Sequence, residues 1–279
     1  MLWTAPAKVN LFLKVIRKRA DGYHDIFSLM QKISLYDELT FSPCSQGIIF
    51  HSPGTDLPTD QSNLVVRAAK AIFDYCQYNG GMEITLVKKI PVTAGLGGGS
   101  SDAATTLMAL NKICSLKLKK KELMKIGSKI GADVPFFIFA NTALASGIGD
   151  KLNHLGNLSP LHLLLIKPPF EISTKMVYEK LNLALTMEKN NYSIPRFLKL
   201  SDIINGLQND LESVSMQMYS ELADLKRMLL SHGALGALMS GSGPTVFGLY
   251  RSEKKAKKAL EAITKEVPDQ YRVFLAKSL

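Results

Sequence analysis

Apolar residues along this chain recur at two periods, and the switches between them outline its elements. Alternation at strand period predicts strands over residues 8–16, 28–36, 38–42 and 82–88. Helical spacing follows over 63–77, where Leu64, Ala68, Ala71, Ile72 and Tyr75 share a face, and again over 101–114 and 121–130. A short strand is predicted at 143–146, and residues 152–160 are rich in turn formers. The second half opens on the uninterrupted apolar run Leu161-His-Leu-Leu-Leu-Ile166 and stops at Pro168-Pro169. Helices are predicted over 174–185, 216–232 and 254–267, strands over 234–239, 245–250 and 271–276, and a loop over 189–200. Alternating strands and helix pairs predict an α+β chain of two domains, 1–152 and 153–279, with helices on one face of an antiparallel sheet.

Between the strand at 82–88 and the helix at 101–114 lies Pro91-Val-Thr-Ala-Gly-Leu-Gly-Gly-Gly-Ser-Ser101. Its glycines let backbone N–H groups approach an anion, and the following helix start adds free amides and a positive dipole end. Gly98 is a position where a Cβ is expected to block the phosphates. Ser100 and Ser101 have two readings, as hydroxyls for phosphate or magnesium and as caps of the helix. The loop is neither a P-loop, which needs Lys before Ser or Thr, nor a dinucleotide fingerprint, because Ser100 stands where Gly or Ala is required.

Lys8, inside an apolar strand, reads either as a solvent-facing residue of the alternation or as a functional cation. Asp133 enters the apolar run Val-Pro-Phe-Phe-Ile-Phe139, so it either finds a partner or caps a short helix that has Pro135 in its first turn. Tyr23 and His24 follow an Asp-Gly turn and would be surface cover if nothing else bore on them.

Composition is that of an ordinary soluble globular protein, 46% apolar and 21% charged, with no apolar run of membrane-spanning length and no expected signal peptide. Cys44, Cys76 and Cys114 are widely spaced, which points to a reducing cytoplasm and away from disulfides or zinc. His51, His154, His162 and His232 have no metal-ligand spacing, so no dedicated metal site is expected. The net charge of +10 raises a nucleic-acid reading, but the lysines at 117–121 and 254–258 carry no interleaved aromatics and read as solvated helix faces.

The Pro-x-x-x-Gly-Leu-Gly-Gly-Gly-Ser-Ser stretch resembles the central motif of the GHMP kinases, and Met239-Ser-Gly-Ser-Gly-Pro-Thr245 resembles their third. Ala5-Pro-Ala-Lys-Val-Asn-Leu-Phe-Leu13 and Arg19-Ala-Asp-Gly-Tyr-His24 are similar to the branch that acts on CDP-methylerythritol. The resemblance implies a ribosomal-protein-S5-like N-terminal domain, a ferredoxin-like C-terminal domain and an active site between them. It implies transfer of phosphate from ATP, with Mg2+, to the 2-hydroxyl of CDP-methylerythritol in the non-mevalonate isoprenoid route. The expected catalytic pair is Lys8 and Asp133. Expected at ATP are Pro91, Val92, Thr93, Ala94, Gly95, Leu96, Gly97, Gly98, Gly99, Ser100, Ser101 and Asn63. Expected at the substrate are Asn10, Tyr23, His24, Thr174 and Tyr178, the last standing where Phe is typical. A cytoplasmic monomer or weak homodimer is expected, without nucleic-acid or membrane partners. Two rivals stand beside this reading: a GHMP kinase for another small alcohol such as homoserine, and a nucleotide- or nucleic-acid-binding protein without catalysis.

Overall fold

Strand period governs the N-terminal residues for longer than the alternation suggests. β1 spans Leu2–Lys18 and β2 spans His24–Cys44. The separate strands expected over 28–36 and 38–42 are one continuous strand. Asp37 is wholly buried in it, and its carboxylate accepts the N–H groups of Lys89 (2.6 Å) and Ile90 (2.8 Å). A buried carboxylate with such partners keeps the strand intact where an unpaired one would break it.

The computed structural model describes residues 1–156, 158–181 and 199–279. They form two compact units, one of Met1–Ala7, Leu35–Val92 and Gly97–Asn141, the other of Lys8–Ser34, Thr93–Leu96 and Thr142–Leu279.

In the first unit, β3 (Gly47–His51), which the alternation did not reveal, pairs parallel with β4 (Gly81–Val87). β4 in turn pairs antiparallel with residues 38–44 of β2. Helices α1 (Leu64–Cys76) and α2 (Gly98–Ile113) pack together, as do α3 (Lys120–Ser128) and α4 (Val134–Phe139). Phe41, Ile72, Met82, Ile84, Leu107 and Phe136 are almost fully buried. Each such side chain contributes about 1.5–3 kcal/mol by leaving water.

In the second unit, β5 (Thr142–Gly147) pairs antiparallel with residues 26–31 of β2, and β6 (Lys151–His154) pairs with β5. A four-stranded antiparallel sheet follows. Its strands are β7 (His162–Lys167), β9 (Gly236–Met239), β10 (Val246–Tyr250) and β11 (Arg272–Lys277), in the order β11-β7-β10-β9. β7 lies between two neighbours, which explains why its run Leu163 to Ile166 is apolar at every position and wholly buried. Between β7 and β9 come α5 (Thr174–Lys180), α6 (Leu200–Asn205), β8 (Gln208–Asn209), α7 (Asp210–Met218) and α8 (Glu221–Ser231). α9 (Glu253–Glu266) packs on β7, β10 and β11, and α8 on β9 and β10.

The helix expected over 216–232 is two helices. Tyr219 leaves helical conformation (φ −140°, ψ 85°) and stacks its ring on Phe170 at 4.7 Å. The helix expected over 174–185 ends at Lys180, and 182–185 lie outside the described residues, as does most of the loop expected over 189–200. Leu200 opens α6. Among the described residues no helix is long and apolar enough to cross a membrane.

Candidate active site

The glycine-rich stretch owes its shape to every second residue. Thr93 (φ +52°), Gly95 (φ +74°) and Gly97 (φ +69°) are left-handed, a conformation that is costly for a β-branched residue such as Thr93. Alternating handedness of this kind turns successive N–H groups into a concave face suited to anions. Gly97 then serves as N-cap of α2, with no side-chain cap. Ser100 and Ser101 therefore do not cap the helix; they stand in its first turn. Ser101 is fully buried and its Oγ has no hydrogen-bond partner, so a hydroxyl with spare capacity waits at a sixteen-residue helix start. Such a hydroxyl fits a phosphate oxygen or a phosphate-borne magnesium.

The glycines do different jobs. A Cβ on Gly98 would meet Ile90 Cγ2 at 3.0 Å and Lys88 Nζ at 3.1 Å. A side chain at Gly98 would therefore press on the groups packed against this part of the loop. Gly99 is exposed, and a Cβ on it would touch only Leu64 Cδ1, at 3.3 Å. A Cβ on Gly95 would fall 2.1 Å from the Ser240 carbonyl oxygen, so the second glycine loop lies directly against the first. Pro91 is buried beneath the stretch and Val92 is exposed. The Ala94 carbonyl accepts the N–H of Thr245 at 3.4 Å.

Lys8 is buried on β1, and its backbone N–H donates to the Leu96 carbonyl at 2.9 Å, which ties the strand to the loop. Its Nζ donates to Asn10 Oδ1 at 2.6 Å. Asn10 Nδ2 donates to Ser28 Oγ at 2.8 Å, and Ser28 Oγ donates to the Phe12 carbonyl at 2.7 Å. Lys8 and Asn10 share one face, as their spacing of two requires, and this relay fixes where the ammonium points. Lys8 is therefore not a solvent-facing residue of the alternation.

Asp133 belongs to the other unit. It precedes α4 in helical conformation (φ −82°, ψ −13°) and its side chain makes no cap hydrogen bond, so the capping alternative falls. A Cβ on Gly131, two residues earlier, would lie 3.7 Å from Ser100 Oγ, which places this turn beside the start of α2. Asn63 acts locally. Its Oδ1 caps α1 by accepting the Val65 N–H at 2.8 Å, while Nδ2 donates to the Pro58 carbonyl.

Tyr23 is 60% exposed at the end of a tight turn. The turn is held by the Arg19 N–H donating to the Tyr23 carbonyl at 2.8 Å and by Arg19 pairing with Asp21 and Asp25. The ring of His24 lies against that of Tyr178, centroids 4.9 Å apart. Partial burial, and secondarily the charge of Lys18, lower the His24 pKa and favour the neutral ring. Thr174 opens α5, and its Oγ1 is 2.7 Å from Ser242 Oγ of the second glycine loop.

Sequence reasoning missed the polar groups beneath the loop. Lys88 Nζ donates to Asp37 Oδ2 at 2.5 Å and to Asp102 Oδ2 at 2.9 Å, and all three side chains are nearly inaccessible. Burial works against the charge of Lys88, but Asp102 and Asp37 raise its pKa. Burial pushes Asp102 up to about 8 despite Lys88, and Asp37 adds to the rise. The alternation of β4 gave no sign that Lys88 turns inward. Ser28 was missed because a lone serine carries no pattern, and Ser240 and Ser242 were noted only as part of the second glycine-rich stretch, without a role. Among the described residues no group of three or more His, Cys, Asp or Glu could hold a metal ion.

Comparison with known proteins adds to this geometry. Residues 63–141 match the GHMP kinases N terminal domain, and residues 192–269 match the GHMP kinases C terminal family. The chain is 54% identical over 275 residues to 4-diphosphocytidyl-2-C-methyl-D-erythritol kinase of Syntrophus aciditrophicus (strain SB), covering 99% of this chain and 98% of that one. It is 48% identical over 257 residues to the protein of the same name from Pelobacter propionicus (strain DSM 2379 / NBRC 103807 / OttBd1), covering 91% of each. A crystal structure of 4-(cytidine 5'-diphospho)-2C-methyl-D-erythritol kinase superposes with a TM-score of 0.85 at 33% identity, over 100% of this chain and 99% of that one.

Proposed function

Because the chain belongs to the GHMP kinases, within the 4-diphosphocytidyl-2-C-methyl-D-erythritol kinase family, we propose that it transfers the γ-phosphoryl group of ATP to the 2-hydroxyl of 4-diphosphocytidyl-2-C-methyl-D-erythritol. ADP and the 2-phosphate leave, as a cytoplasmic step of the non-mevalonate route to isoprenoids. One observation carries this reading: the Lys8 N–H is bonded to the Leu96 carbonyl of the glycine-rich loop, so the strand that bears a buried cation is tied to that loop.

The residues divide the work. The loop from Thr93 to Ser101 receives the polyphosphate on its N–H groups and on the start of α2. Lys8, oriented by Asn10 and Ser28, offsets charge that develops on the transferred phosphoryl group. Asp133 accepts the proton of the attacking hydroxyl. Magnesium brought with ATP would offset phosphate charge, and the Ser101 hydroxyl would be available to hold it. Tyr178 and Tyr23 offer ring faces to the cytosine, His24 meets its polar edge, and Asn10 and Thr174 contact the rest of the substrate. Asn63 borders the adenine.

The test is ATP turnover against a panel of alcohols: the cytidine substrate, homoserine, mevalonate and no acceptor. Turnover with the cytidine substrate at least a hundredfold above the others is the expected result. Preference for another alcohol, or hydrolysis indifferent to the acceptor, overturns the reading.

A further inference from the structure

The tetrapeptide Asn209-Asp-Leu-Glu212 carries no glycine and no recognised nucleotide motif, yet its three polar side chains all bond to backbone near the active residues. We propose that Asn209 is a positioning residue for phosphoryl transfer, whose amide fixes the second glycine loop and, through that loop, the places of Gly95, Asn10 and Thr174. This inference rests on the kinase reading above.

Asn209 is 7% exposed, at the end of β8, where it pairs with Leu13 of β1. Its Oδ1 accepts the Leu211 N–H at 3.0 Å and so caps α7. That bond also sets the amide's orientation, because only the nitrogen end is left to face the loop. Both hydrogens of Nδ2 are used there: it donates to the Met239 carbonyl at 2.8 Å and to the Gly241 carbonyl at 2.7 Å. Two carbonyls two residues apart on one amide set the direction in which the chain leaves β9. Gly241 (φ +57°) and Gly243 (φ +86°) then turn it, and the Ser240 N–H closes the loop on the Thr245 carbonyl at 2.9 Å.

The loop so held presents two serines to the residues already described. Ser240 Oγ donates to the Gly95 carbonyl at 2.8 Å and accepts the Asn10 N–H at 3.4 Å. Ser242 Oγ meets Thr174 Oγ1 at 2.7 Å. The neighbours of Asn209 brace the same assembly. Asp210 Oδ2 accepts the Val15 N–H of β1 at 2.8 Å; Glu212 Oε1 accepts the Met239 N–H at 2.9 Å, and its other oxygen binds Lys226 at 2.7 Å. A helix cap needs only an acceptor. The two donated bonds therefore have a separate role, and Ser240 shows where it leads, to the phosphate cradle and to the strand that bears Lys8.

Asn209→Asp separates the two roles. It keeps the cap acceptor and the shape, loses both donors, and faces two carbonyl oxygens with a carboxylate. Steady-state kinetics with the cytidine substrate, calorimetric ATP titration and apo melting are compared with wild type at a temperature where both are folded. The expected result is a fall in kcat of at least tenfold and an ATP Kd raised at least threefold in the folded protein. The deficit should shrink as pH is lowered, because a protonated carboxyl donates one of the lost bonds. Should Asn209→Asp fail to fold, Asn209→Ser gives the same reading: it keeps the cap but reaches neither carbonyl. A folded variant whose kcat and ATP Kd lie within twofold of wild type overturns the proposal. The ATP titration needs no acceptor. If wild type binds ATP but ignores the cytidine substrate, the kinase assignment fails, and the role of Asn209 is judged on the titration alone.

Discussion

Asp133 shows how little a residue's neighbours in sequence say about what it does. A carboxylate before Val-Pro-Phe-Phe reads equally well as a helix cap or as a group that finds another partner, and the backbone removes the first: helical φ and ψ, and no side-chain bond to the α4 amides. Asp133→Asn keeps the shape and removes proton acceptance. Expected is a loss of kcat of about 10²–10⁴-fold with ATP affinity nearly unchanged; near-normal turnover in a stopped assay would strip Asp133 of its role. The buried setting of Lys8 was not legible in the alternation, which allowed a solvent-facing residue or a functional cation, whereas the relay through Asn10 and Ser28 keeps it buried. Tyr178 is a further case. Its ring rests on that of His24, centroids 4.9 Å apart, so in the proposed reading the cytosine stacks on the other face of Tyr178. Stacking is worth roughly 1–3 kcal/mol per base, so Tyr178→Ala should raise KM for the cytidine substrate several-fold. ATP titration should not move, and equal weakening of both ligands would place Tyr178 outside the cytidine pocket.

At the scale of elements, long amphipathic helices were legible and strand continuity was not. α1 and α9 fall within a few residues of their apolar stripes because each buries one face, whereas α2 is buried nearly all round from Ser101 to Leu107. Alternation alone divides β2 at Asp37, whose carboxylate is satisfied from β4's end, a partner fifty residues away that no local pattern announces. The same carboxylate, Lys88 and Asp102 link β2, the segment after β4 and the second turn of α2. Two carboxylates share one cation there, and the Oδ1 of Asp102 has no hydrogen-bond partner. The folded pKa of Asp102, about 8, lies above its ordinary value of 3.8, so the folded state holds the proton more tightly. Its contribution to stability is therefore complete at low pH and is lost as pH rises from about 4 through about 8. Melting temperatures of wild type and Asp102→Asn, followed between pH 5 and about 9, should show the extra decline in wild type alone from the acid end up to about pH 8. Above about pH 8, where Asp102 is ionised in both states, the two slopes should converge. Parallel curves throughout would mean that Asp102 is ionised in the fold across the range.

For the whole molecule, the α+β class was legible because both periods occur in alternation. The composition of the two units was not: residues 8–34 and 93–96 group with the C-terminal half, a consequence of β1 and β2 being long enough to serve both units. Charge is the property of the whole chain that composition did disclose. Thirty-four Lys and Arg stand against 24 Asp and Glu, a net +10. Both ligands of the proposed reaction carry polyphosphate, so a positive field should speed their capture without touching chemistry inside the cradle. Salt separates the two effects, since the screening length falls from about 10 Å at 0.1 M to about 3 Å at 1 M. Raising potassium chloride from about 0.05 to about 0.5 M should lower kcat/KM for ATP several-fold and leave kcat within about twofold. A flat kcat/KM would show that the lysines of α9 and of the segment before α3 act only as solvated faces. A parallel fall in kcat would instead locate the salt-sensitive charges in the transfer step itself, at Lys8 and the groups that hold it.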